Sequence, residues 1–196
     1  GHLYGASFAS DSVFWTPERL LDGDVCAKIL DAGFRFTVAD QDTHFERWLG
    51  RDAAYGDGGY RINRINGVGC FAIHNQASAF LFANDDRGLP LSLRRLLSRK
   101  VRSGTQGQTV VLFSNWEALG ETAKADAYDL NLRWLANHPW IRVCALDDLA
   151  ASASSGGWPV EEKGAVAGAK SGHLWLNHAS EEDFDHWYVG SAQEEG

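Results

Sequence analysis

Three consecutive segments within residues 7–39 constrain the fold more than any other part of the chain. Residues 7–15 (SFASDSVFW) read as a strand that must stop at Thr16-Pro17, because proline has no N–H to give to a ladder. Residues 20–32 place Leu21, Val25, Ile29 and Leu30 at helical spacing, with Ala27 and Ala32 beside them and Gly33 as the stop. Residues 34–39 (FRFTVA) form a second short apolar strand. Strand, helix, strand at this spacing is a βα unit of a parallel sheet, so the chain is expected to be of the α/β class.

The remainder extends that pattern. Residues 40–59 are polar and glycine-rich, the composition of a long loop of the kind that carries function. Residues 60–65 and 70–73 read as strands of a hairpin turning at Asn66-Gly67. A short helix is expected over 77–84, and a basic amphipathic helix over 90–101, with Pro90 near its first turn and its charges facing solvent. The run at 109–113 (TVVLF) fits a strand buried on both faces. A helix follows over 122–136, then a strand over 140–145 and a short helix over 146–151. Residues 152–157 (SASSGG) read as a flexible linker, and 158–196 as a Trp-rich acidic tail that packs on the preceding domain or is partly disordered.

With 196 residues the chain can build one core, and 44% hydrophobic with 22% charged residues is the composition of a soluble globular protein. No apolar run nears the ~18 residues of a membrane helix. No signal peptide is visible, and a chain that starts Gly1-His2-Leu3 and contains no Met reads as carrying a cloning scar or as excised from a longer reading frame. The net charge of −8 argues against nucleic acid and anionic membranes as partners. Cys26, Cys70 and Cys144 are odd in number, widely spaced and without a CxxC pair, which fits buried free thiols in a reducing, cytoplasmic compartment. His44 shares its segment with Asp40 and Asp42, His74 ends a strand, and His173, His178 and His186 crowd the tail beside Asp183 and Asp185. None forms a recognisable metal-ligand pair, so neither a metal nor a cofactor is expected.

Two strand ends carry candidate chemistry. The first is Trp15-Thr16-Pro17-Glu18, the second Phe113-Ser114-Asn115-Trp116-Glu117. Active sites of parallel α/β barrels assemble at the C-terminal ends of strands, and glycoside hydrolysis needs two carboxylates, one as nucleophile or base and one as acid. Each Glu could equally be a first-turn residue favoured by the helix dipole. The eight Trp fit sugar-stacking clefts or simply a filled core.

These residues resemble family-57 glycoside hydrolases, which act on α-glucans through a seven-stranded barrel. Trp15-Thr16-Pro17-Glu18 is similar to the family's Trp-x-Pro-Glu motif, and Gly33-Phe34-Arg35-Phe36 to its following Gly-aromatic-Arg-aromatic strand. Asn115-Trp116-Glu117 is similar to its Asp-x-Glu motif, and residues 132–149 also fit. The resemblance spans roughly residues 7–151 in element order and implies part of a (β/α)7-type barrel whose N-terminal strands lie outside this chain. Residues 1–151 would then be the C-terminal portion of the barrel domain. It further implies a retaining hydrolase or transglycosylase with Glu18 as nucleophile and Asn115 where the family has its acid/base Asp. An amide cannot donate that proton, so Asn115 implies impaired acid catalysis unless Glu117 is re-aimed. Trp15, Trp48, Trp116, His44 and Asp40 are the expected substrate-binding residues, an oligo- or polysaccharide the expected ligand, and the missing N-terminal portion or a companion chain the expected partner. The alternatives are a non-catalytic saccharide-binding module, a structural or assembly domain, and a polysaccharide deacetylase with a metal held by an Asp and two His.

Overall fold

The computed structural model describes residues 2–3, 6–7, 11–16, 19, 21–83, 88–104, 107–114 and 116–165. Pro17, Glu18, Asn115 and the tail histidines lie outside them. A two-stranded antiparallel pair, β1 (His2–Leu3) and β2 (Ala6–Ser7), precedes the main sheet. That sheet has five strands: β3 (Val13–Phe14), β4 (Phe36–Asp40), β5 (Ile62–Ile65), β6 (Val68–Ile73) and β7 (Val160–Gly164). Their order is β3-β4-β6-β5-β7. The pairs β3–β4, β4–β6 and β5–β7 are parallel, and only the β5–β6 hairpin is antiparallel.

The expected βα unit is present. Helix α1 (Gly23–Asp31) begins after Asp22, whose Oδ1 accepts the Val25 N–H at 2.8 Å, and this cap starts the helix a few residues later than apolar spacing suggests. The Asn66-Gly67 turn closes the hairpin with both residues at positive φ, 50° and 82°, the backbone of the tight turn that suits strand twist.

Alternation along the strands separates two apolar faces. Ala39 of β4 and Cys70 and Ala72 of β6 join Leu21, Cys26 and Ile29 from the α1 side, together with Phe45, Trp48 and Ala54. On the other face Phe36, Val38, Ile62, Phe71 and Ile73 pack against Ala150 and Ala153 of α7 (Leu146–Ser154). Each large apolar side chain fully buried in this way contributes roughly 1.5–3 kcal/mol. A third cluster joins α4 (Asn75–Ala79), α5 (Leu89–Ser103) and α6 (Thr122–Ala136) through Ala77, Leu81, Leu89, Leu93 and Leu135. Among the described residues no helix is long and apolar enough to cross a membrane.

Several sequence expectations need correction. Residues 7–15 are not one strand: among the described residues the Ala6–Ser7 and Val13–Phe14 stretches are paired, and Asp11 and Ser12 before the second form a bend. The segment after β4 is not a loop. It forms a π-helical turn (Gln41–Phe45), α2 (Glu46–Leu49), α3 (Arg51–Tyr55) and a 3-10 turn (Asp57–Tyr60). Its polar composition conceals the apolar positions Phe45, Trp48 and Leu49, which recur at helical spacing and anchor it on the sheet.

Residues 109–113 form only one parallel bridge, Val111 to Ile73. Beyond Ile73 the neighbouring backbone turns into α4, so side chains supply part of the pairing. His74 Nδ1 accepts the Val111 N–H at 3.3 Å, and Ser78 Oγ accepts the Phe113 N–H at 2.9 Å. Residues 140–145 form no strand, with Trp140 39% and Val143 71% exposed. Strand propensity acts only where a sheet edge is in reach. The expected linker is also structured. Ser152 to Ser154 complete α7, and Gly157 N–H bonds Ser152 O at 2.8 Å, leading directly into β7.

Asn131 is a buried polar hub that ties α6 to the turn after α4. Its Nδ2 lies 3.1, 3.0, 3.2 and 2.9 Å from the carbonyl oxygens of Phe80, Leu81, Ala83 and Ala127. Its two N–H groups are shared among these acceptors, three of them on one bend of the chain. Asn131→Ala should therefore lower stability by about 2 kcal/mol, since it strands buried carbonyls as well as losing bonds. Urea unfolding checks this; a loss below about 0.5 kcal/mol would mean that water satisfies the bend without the side chain.

Candidate functional site

Asp40, the last residue of β4, is fully buried and organises the C-terminal ends of the parallel strands. Its Oδ1 accepts from Arg19 Nη1 at 2.9 Å and from Asn75 Nδ2 at 3.0 Å. Arg19 comes from the segment after β3, and Asn75 follows β6, so one carboxylate oxygen links three adjacent strand ends. The same Asn75 amide donates to Asp42 Oδ1 at 2.6 Å, and its carbonyl lies 3.4 Å from Arg19 Nη1. Removing one partner of such a buried pair typically costs about 3–5 kcal/mol, because the other charge is left uncompensated.

Arg19 is held at φ +57°, a left-handed conformation that costs a non-glycine residue roughly 1–2 kcal/mol. The bond from Arg19 N–H to Thr16 O, 3.0 Å, closes the turn that imposes it. The guanidinium carbon also lies 4.5 Å from the centre of the Phe113 ring. Trp15 stacks on the same ring at 5.2 Å and 10°, and is itself 44% exposed. Thus Trp15, which precedes Thr16-Pro17-Glu18, and Phe113, which precedes Ser114-Asn115, are in direct contact. In the same strand-end layer, the buried Thr16 Oγ1 and Asp40 Oδ2 have no hydrogen-bond partner among the described residues.

The structure redistributes the expected substrate-binding residues. Trp15 remains partly exposed at the strand ends. Trp48 does not: it is core-buried, against Phe45 and His44, because its position in α2 faces the sheet. His44 is also fully buried, and its Nδ1 accepts the Asp40 backbone N–H at 3.0 Å. With that lone pair engaged, the 3.5 Å approach of Nδ1 to Asp40 Oδ2 is a close contact and not an ion pair. His44 and Asp40 therefore position the site from beneath and have no surface for a ligand. Glu18 and Asn115 lie outside the described residues, and Trp116 and Glu117 belong to a 3-10 turn, Trp116–Gly120. Sequence reasoning overlooked Arg19 and Asn75 as site members, and included Phe113 in the second motif without assigning a role to its ring. The available signal for Arg19 was its place directly after Glu18; Asn75 had only its place after a strand end.

Cys26 and Cys70 are buried free thiols, as expected, and burial pushes the Cys26 pKa up to about 11. Both are therefore neutral and poor nucleophiles. Cys144, also free, is only partly buried. Among the described residues no group of three His, Cys, Asp or Glu side chains converges on a common point. No protein-family model and no curated protein matches the chain.

His74 borders the site on the far side of β6. It stacks on Tyr60 at 4.6 Å and shares a small cavity of about 30 Å³ with Gln41, Tyr60, Gln76 and Ser92. Burial pulls its pKa down to about 4, only partly opposed by its backbone hydrogen bonds. The unfolded chain therefore takes up a proton near the ordinary value of 6.5 that the folded protein refuses until about 4. This contribution is complete above pH 6.5 and is lost as pH falls towards 4. Between pH 7 and 4.5 the wild type should lose roughly 2–3 kcal/mol more stability than His74→Gln. Urea midpoints at the two pH values test it; parallel losses in both proteins would contradict a neutral buried imidazole.

Proposed function

We propose that the chain forms a saccharide site at the C-terminal ends of β3, β4 and β6 and of the extended segment at 109–113, of the kind found in α-glucan-active glycoside hydrolases. The observation that carries this reading is the Trp15–Phe113 stack, which draws together the two segments that lead into Glu18 and Asn115. The exposed Trp15 supplies flat apolar surface of the kind on which a sugar ring stacks, and the neighbouring Thr16 Oγ1 has no hydrogen-bond partner among the described residues. The parallel order β3-β4-β6 supports a (β/α) barrel, with further strands beside β3 supplied by the same polypeptide or a companion chain. In this reading Glu18 is the nucleophile, Trp15 and Trp116 contact the sugar, and Asn115 occupies the acid position, which leaves binding intact and turnover low. A cytoplasmic location agrees with the free cysteines.

Trp15→Ala should weaken maltooligosaccharide binding about tenfold, equivalent to about 1.4 kcal/mol, in titration calorimetry on the full protein. Asn115→Asp restores a carboxylic acid of the same size and should raise hydrolysis of an α-glucan by ~10²–10⁴. Glu18→Gln should abolish that gain. Binding without any gain would make the protein a saccharide-binding module. Neither binding nor gain would overturn the saccharide reading in favour of an assembly domain.

A further inference from the structure

Charge is distributed very unevenly along this acidic chain. Helix α5 carries Arg94, Arg95, Arg99, Lys100 and Arg102 and no acidic residue. Arg94, Arg95, Arg99 and Arg102 are exposed and, with Leu91 and Ser98, line a groove of about 450 Å³. Leu91 is itself 41% exposed, so the groove has an apolar element beside the cations. The opposite charge lies in residues 166–196, which hold Glu181, Glu182, Asp183, Asp185, Glu194 and Glu195 against a single Lys170. Four of these acids fall within the stretch Glu181-Glu182-Asp183-Phe184-Asp185, and Trp187 and Tyr188 follow after His186. We infer that the arginine groove of α5 is the docking site of the chain's own acidic segment 181–188.

The connection is long enough. A Cβ built on Gly107 would lie against the Pro159 ring, so the chain just beyond α5 touches the chain just before β7. At ~3.3 Å per residue, Arg102 lies at most about 17 Å from Gly107, and Ala165 at most about 20 Å from Pro159. The stretch from Ala165 to Glu181 can span about 53 Å, well beyond the combined ~37 Å. The tether also favours this occupant over the others. A single exposed ion pair contributes only about 0–1 kcal/mol, too little to hold a free partner. An attached segment, however, is present at an effective concentration on the order of millimolar, and several pairs with an aromatic anchor then suffice. A second copy or a separate anionic partner would have to displace it.

The test uses the full chain with Arg102→Lys, which places a reactive amine in the groove while keeping its charge, and a zero-length carbodiimide. At low salt, mass spectrometry of the monomer fraction should find amide links between position 102 and an acid within 181–185. These links should fall at least tenfold at 1 M NaCl, where the Debye length is about 3 Å. They should also vanish in the Glu181→Gln, Glu182→Gln, Asp183→Asn, Asp185→Asn variant. Hydrogen exchange on the unmodified chain gives an independent readout: amides of 181–188 should exchange about tenfold faster in that variant than in the wild type. Links confined to a dimer fraction would assign the groove to a second copy and overturn the inference. Absence of links together with unchanged exchange would overturn it as well.

Discussion

The Arg19–Asp40 ion pair is the constraint on which the upper edge of the sheet depends. Asp40 ends the central parallel strand β4 and is completely shielded from solvent. A carboxylate at such depth is tolerable only with a cation and good hydrogen bonds. Arg19 supplies the cation and Asn75 a further donor, so the segments following β3 and β6 are held at fixed positions relative to β4. The left-handed backbone at Arg19 is accepted because it delivers the guanidinium to Asp40 and lays it over Phe113. Phe113 in turn carries Trp15. One buried charge thereby fixes the geometry of all four strand ends from which the proposed saccharide site is built.

A second layer of buried polar residues supports this arrangement. His44 accepts the Asp40 backbone N–H through a π-helical turn, and the wider turn lets an imidazole four residues along reach back to the strand end. His74 and Ser78 lend side chains to the backbone of residues 111–113 where no regular ladder is available. The lowered His74 pKa follows from the same burial and makes this edge of the sheet acid-sensitive.

The elements legible in the sequence were those with a single strong local signal. The βα unit followed from the spacing of Leu21, Val25 and Ile29, and the end of α6 from Asn137-His138-Pro139; the hairpin followed from Asn66-Gly67. The helices after β4 were obscured because charged residues outnumber Phe45, Trp48 and Leu49 in that stretch, although the three share one face. β7 was not visible because its sequence, Val160 to Gly164, is mostly charged. Its pairing with β5 is supported by Arg64–Glu162 and Arg61–Glu161 ion pairs rather than by apolar alternation. At the site, position along a strand was legible, and depth was not. Asp40, His44 and Trp48 were all assigned to substrate binding by residue type, yet the fold buries all three. Arg19 and Asn75 matter through contacts across 21 and 35 residues, which no local pattern carries.

The measurement that bears most directly on the saccharide site is a hydrogen-exchange footprint of the full protein with and without a saturating maltooligosaccharide. Strand ends tied together through Arg19, Asp40 and Phe113 should respond as one unit. The account predicts slower exchange in peptides covering residues 11–21, 40–46 and 111–120, with α5 and the Asn66-Gly67 turn unchanged. Protection confined to other segments, or none at saturating ligand, would contradict a saccharide site at these strand ends.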